Sequence, residues 1–93
     1  MRTIEYTSQF KQDFKREKRS QRGKKIEKEL IVILHFLLND LPLSKRHEDH
    51  PLTGKWKGFR DCHVRPDLIL IYRDRGGSVL QLVRLGSHSE LGL

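Results

Sequence analysis

At 93 residues the chain is long enough for one domain and too short for two. Nineteen Lys and Arg against twelve Asp and Glu leave a net charge of +7, which favours a polyanionic partner such as nucleic acid or a ribosome over a merely solvated surface. One cysteine, Cys62, excludes an internal disulfide framework and suits a reducing compartment. The longest apolar run, residues 30–38, contains His35 and is too short to span a bilayer. With no secretory pattern at the start, the expectation is a cytoplasmic protein of a single domain, residues 1–93, with no membrane partner.

Residues 2–6 alternate enough for a short strand. Thr7 or Ser8 can cap a following helix, on which Phe10 and Phe14 at i and i+4 form a thin apolar stripe. Ser20, Gln21, Arg22 and Gly23 mark a break. A second helix is expected over about residues 24–38, where Ile26, Leu30, Ile33, Leu34 and Leu37 share one face. Ile31, Val32, Phe36 and Leu38 widen that face, which predicts cover on more than one side. Asn39, Asp40 and Pro42 end the helix. Between positions 11 and 28, nine basic residues (Lys11, Lys15, Arg16, Lys18, Arg19, Arg22, Lys24, Lys25 and Lys28) meet only Asp13, Glu17 and Glu27. Charged helix faces are often simply solvated, yet this imbalance suits phosphate contacts.

Residues 47–67, HEDHPLTGKWKGFRDCHVRPD, hold three of the five histidines, the only tryptophan and the only cysteine. Strands are expected over 59–64, 68–73 and 79–85, with turns at Arg65 and Pro66 and at Arg75, Gly76 and Gly77, and Gly86 as terminator. The run LILIYR at 68–73 is apolar enough to be central. The predicted class is α+β, a small antiparallel sheet (a first strand plus a three-stranded meander) with an N-terminal helical hairpin packed on it. Because consecutive antiparallel strands reverse direction, the meander gathers His63, the Asp67 turn, Arg84 and His88 at one end.

Such a set suits phosphoryl transfer on RNA, which carries its own nucleophile in the 2′-OH. A base must take that proton, an acid must protonate the leaving 5′-oxygen, and cations must face the phosphorane. Imidazole can fill either proton role, and Arg or Lys supplies the charge. A zinc site from His47 and His50 (HxxH) with Asp49, Asp61, Cys62 and His63 is the competing reading. It lacks CxxC and HExxH, and on a strand Cys62 and His63 point to opposite faces. No metal or cofactor is therefore expected. His35 reads as a core or boundary residue, His47 as exposed, Cys62 as a small buried residue, and Trp56 as closing the core beneath its loop or stacking on a base.

The stretch DHPLTGKWKGFRDCHVRPDLILIY, the later VRLGSH and the opening IEYTSQFKQDFK together resemble the YafQ toxins of the RelE/ParE superfamily of bacterial type II toxin–antitoxin systems. The resemblance covers nearly the whole chain. It implies a RelE-like fold and a ribosome-dependent, metal-independent endoribonuclease that cuts mRNA in the A site of the 70S ribosome, favouring A-rich codons. It also implies a DinJ-like antitoxin whose complex with the toxin contacts operator DNA. By this resemblance the catalytic positions are His50, His63, Asp67 and His88, with the division of roles among the histidines open. Trp56 and Lys57 match a WKG motif and Arg84 a basic residue before the last histidine. With Lys55, Lys15, Arg16 and Lys18, these are the expected RNA contacts. The family's phenylalanine near the C-terminus is absent here, where only Leu91 or Leu93 could replace it. Two other classes compete: a ParE-like inhibitor of DNA gyrase, which would lack the histidine set, and a plain RNA- or ribosome-binding module.

Overall fold

A computed structural model describes residues 2–20 and 23–93; Gln21 and Arg22 of the expected break fall outside them. Strand β1 (Thr3–Tyr6) leads into helix α1 (Ser8–Arg19), whose entry is capped by Thr7, its side-chain oxygen accepting from the Phe10 N–H at 3.0 Å. Helix α2 (Gly23–Leu38) returns antiparallel. Then come β2 (His50–Pro51), β3 (Arg60–Arg65), β4 (Leu68–Arg75), β5 (Val79–Gly86) and a last turn of helix, α3 (His88–Leu91).

The five strands lie in the order β1-β5-β4-β3-β2. The meander β3-β4-β5 is antiparallel, as its hairpin turns require, and β4 is central with Leu68 to Tyr72 all buried. In the otherwise antiparallel sheet, β1 joins β5 in parallel, Thr3 opposite Val79 and Tyr6 opposite Leu82. Parallel neighbours need a long crossover, and here everything between the two strands supplies it.

The sheet buries two unequal faces. One packs Cys62, Val64, Leu68, Leu70, Tyr72, Leu80, Leu82 and Leu85 against Phe10 of α1 and Ile26, Leu30, Ile33, Leu34 and Leu37 of α2. These five α2 positions are the predicted apolar face, and all are buried. The expected cover on a second side of α2 is only partial: Leu38 packs against this core and Phe36 is half-buried, but Ile31 is 58% and Val32 54% exposed. The opposite face of the sheet carries a smaller cluster, Ile69, Ile71 and Leu91, edged by Leu52, Trp56, Phe59 and Val83.

Beyond Leu82, β5 has no strand on its outer side among the described residues, and α1 takes that place with side chains. The Leu85 N–H donates to Asp13 Oδ2 at 3.0 Å, and the Leu85 carbonyl accepts from Arg16 Nη2 at 2.9 Å. Asp13, 2% exposed, also accepts from Arg84 Nε at 2.7 Å and from Arg16 Nη1 at 3.1 Å. Two cations, Arg16 of the basic segment and Arg84 of β5, are thus committed to folding.

The hairpin bend has no room for a side chain. A Cβ on Gly23 would lie 2.1 Å from the Lys18 carbonyl oxygen, a backbone atom that cannot turn aside. Gly23→Ala is therefore expected to destabilise the fold by about 1–3 kcal/mol, the usual range for overpacking. A urea titration measures it, and an unchanged midpoint would show that the bend relaxes freely.

Candidate active site

The site begins with the alternation of β3. Cys62 and Val64 point into the helix-facing core, which turns Asp61 and His63 to the other face. Cys62 is fully buried and burial pushes its thiol well above the ordinary range, so it takes no part in the chemistry.

His50 reaches this face because residues 44–53 fold back as a strap. A short 3-10 turn, Lys45–His47, sets His47 Nδ1 at 2.7 Å from the His63 carbonyl. Asp49 is anchored from the helix side by the Tyr72 hydroxyl and by Arg60 Nε at 3.3 Å. With those points fixed, His50 pairs across from Asp61 as β2. His47 is therefore a half-buried structural donor rather than an exposed residue, and it closes the outer edge of β3 where β2 has ended. His35 is the reverse case, exposed near the end of α2 with Asn39 bonded to its carbonyl.

His88 comes from the far end of the chain. It opens α3, which is held by a capping box between Ser87 and Glu90. Its Nδ1 lies 3.3 Å from Asp67 Oδ1 in the β3–β4 turn, and its backbone N–H points to the same oxygen at 3.4 Å. The rings of His63 and His88 meet edge to face with centroids 5.3 Å apart. The gathering of His63, Asp67 and His88 expected from the meander is present, and the strap adds His50.

A pocket of about 440 Å³ opens among these groups, lined by His50, Asp61, His63 and His88, with Leu52, Thr53, Lys55, Trp56, Gly92 and Leu93 completing the wall. Asp61 is the site residue that the sequence reading weighed only as a metal ligand. It is 3% exposed, and its Oδ1 lies 3.0 Å from His50 Nδ1 without a hydrogen bond. Burial raises its carboxyl above the usual range, while His50, His63 and His88 pull it back. The available signal was its spacing, two residues before His63 on one strand face.

Protons can be placed on two rings. A carbonyl oxygen only accepts, so His50 Nδ1, 2.7 Å from the Glu48 carbonyl, carries the hydrogen. Neutral His50 then presents Nε2 as an acceptor, the form a general base needs. By the same argument His47 Nδ1 carries the hydrogen toward His63. Asp67 stands behind His88 as a carboxylate that orients the ring and offsets positive charge on it.

Other expected contacts fall elsewhere. Arg84 is turned to Asp13 at the α1 edge, and Arg16 is held by Asp13, Glu17 and the Leu85 carbonyl, so both guanidiniums make contacts within the fold. Lys15 and Lys18 are on α1, with Lys18 Nζ 3.5 Å from Glu27. Lys55 lines the pocket, whereas Lys57 is exposed outside its lining. Trp56 meets Phe59 edge to face at 5.5 Å and closes the smaller core, with its indole N–H buried and unbonded. Of the two C-terminal leucines, Leu91 is buried beneath α3, and Leu93, 41% exposed, stands at the pocket wall.

Comparison with known proteins gives the family of the chain. Residues 2–92 match the family profile described as the bacterial toxin of a type II toxin–antitoxin system, YafQ. This chain belongs to the YafQ toxin family. It is 41% identical over 90 residues to the mRNA interferase toxin YafQ of Escherichia coli K12, covering 97% of this chain and 95% of that one. Among solved structures, the E. coli DinJ–YafQ complex superposes with a TM-score of 0.81 at 41% identity, covering 98% of both chains. A metal-bound toxin from Helicobacter pylori gives 0.82 at 40% identity, covering 98% of this chain and 99% of that one. The overall fold is thus shared with these structures over essentially the full length of this chain.

Proposed function

We propose that this YafQ-family toxin is an mRNA interferase, a ribosome-dependent endoribonuclease that cuts mRNA in the A site without a metal or other cofactor and so stops translation. The observation that carries this reading is the convergence of three histidines and two carboxylates around one pocket. His50, with its Nδ1 hydrogen tied to a carbonyl, takes the 2′-OH proton at Nε2. The 2′-oxygen attacks the adjacent phosphorus, and the bond to the 5′-oxygen breaks as His88, backed by Asp67, gives that oxygen a proton. His63 lies between them, where a protonated ring faces the charge that develops on the non-bridging oxygens. Lys55 adds charge at the mouth, and Trp56 and Leu93 offer apolar wall to a base.

The reading extends to partners: a DinJ-like antitoxin that neutralises the toxin, operator DNA reached only through that complex, and action in the cytoplasm as a single domain over residues 1–93. No helix of the described residues is long and apolar enough to cross a membrane. The test is incubation with translating ribosomes and a defined mRNA, with and without EDTA, followed by mapping of 5′ ends. Cleavage that survives EDTA and disappears in His50→Ala and His63→Ala is the expected result. Cleavage abolished by EDTA would restore a metal mechanism, and trapped gyrase–DNA complexes without cleavage would overturn the reading.

Lys15 and Lys18 are the α1 cations of the expected RNA set left to meet ribosomal RNA, since Arg16 is engaged in folding. Replacing both with glutamine is expected to weaken ribosome binding and flatten its salt dependence, by roughly 0.7–0.9 in log–log slope for each phosphate no longer neutralised. An unaltered slope would show that this face of α1 does not meet RNA.

A further inference from the structure

Glu48 has left-handed backbone, φ 45° and ψ 46°, a conformation that residues with side chains adopt rarely. Such an outlier beside two functional histidines points to something the conformation provides. It directs two groups of one residue at two different rings. The Glu48 carbonyl accepts from His50 Nδ1 at 2.7 Å, and the Glu48 carboxylate lies 3.3 Å from His63 Nδ1. That nitrogen of His63 is buried and has no hydrogen bond, so it is an unfilled position in front of a carboxylate. His47, one residue earlier, fixes the strap to the same place by donating to the His63 carbonyl.

We propose that Glu48 is a positioning residue that holds His50 and His63 together as a working pair. Its carbonyl keeps the hydrogen of His50 on Nδ1. Its carboxylate draws the hydrogen of His63 to Nδ1 as well, leaving Nε2 of both rings for the RNA. When His63 carries positive charge during the reaction, the same carboxylate opposes that charge from behind, as an acid behind a catalytic imidazole does. An ordinary right-handed or extended backbone at position 48 would separate these two contacts.

The test joins imidazole ¹⁵N spectroscopy of the free protein to single-turnover cleavage on ribosomes; its rate arm rests on the ribonuclease reading and its spectroscopic arm does not. Neutral wild type is expected to show the hydrogen on Nδ1 for both rings. Glu48→Ala is expected to move the His63 hydrogen to Nε2, leave His50 unchanged and lower the saturating rate about tenfold, with KM and melting temperature unaltered. Glu48→Gln, whose amide oxygen still accepts, is expected to restore the His63 pattern and part of the rate. A His63 tautomer indifferent to Glu48→Ala would overturn the proposal, as would a rate loss accompanied by a fall in melting temperature. If wild type cuts no message, the ribonuclease reading fails, and the imidazole pattern alone then decides whether Glu48 sets the pair.

Discussion

His88→Ala is expected to slow mRNA cleavage by about 10²–10⁴-fold while the protein melts at the wild-type temperature. The range is that of a positioned general acid or base. Stability is expected to hold because His88 is exposed and its ring bonds outward to Asp67, while the smaller core beneath α3 is filled by Leu91. Single-turnover cleavage on programmed ribosomes with excess toxin measures the chemical step. Asp67→Asn should follow with a smaller loss, since it leaves the ring in place and removes the charge behind it. A cooperative melt well below wild type in His88→Ala would instead make this histidine a structural residue.

Asp13→Ala is expected to destabilise the fold by about 3 kcal/mol, the upper range for losing hydrogen bonds to a charged group. For a domain of this size that corresponds to a fall of roughly 12–24 °C in melting temperature. The carboxylate serves the Leu85 N–H, Arg84 and Arg16 together, and its loss leaves a buried backbone donor unpaired. Part of the penalty is relieved because Arg84 and Arg16 keep some access to water. Thermal unfolding of the purified variant decides it; a fall of only a few degrees would show that water or another side chain fills the gap. Because the site lies on the other face of the sheet, cleavage by the folded fraction should be retained.

The meander was readable because each strand carries a strong local signature: an apolar run for β4, a glycine turn after it, and a histidine and cysteine alternating on β3. Helix α2 was readable from five positions at helical spacing, all of which prove buried. Spacing could not show which apolar residues lack a partner, so Ile31 and Val32 read as covered when they are exposed. The parallel course of β1 was not legible either, because pairing direction depends on how the helical hairpin returns the chain. Among site residues, His63, Asp67 and His88 followed from topology, while the approach of His50 depends on anchors at Asp49 and His47 that no periodicity announces. Asp61 looked like one more acid beside a cysteine, although its place on the strand made it the neighbour of two histidines. That Arg16 and Arg84 face the buried Asp13 was not legible either, because neither a count of positive charge nor strand order says which cations meet a buried acid.

That last arrangement makes helix α1 the guard of a sheet edge. With Asp13 and Arg16 standing in for a neighbouring strand, the outer end of β5 is sealed only while α1 stays docked. Lifting α1 would leave the Leu85 N–H and carbonyl unsatisfied beside an apolar core, the kind of open edge that pairs with other chains. That edge is thus protected by the side chains of a helix rather than by a neighbouring strand.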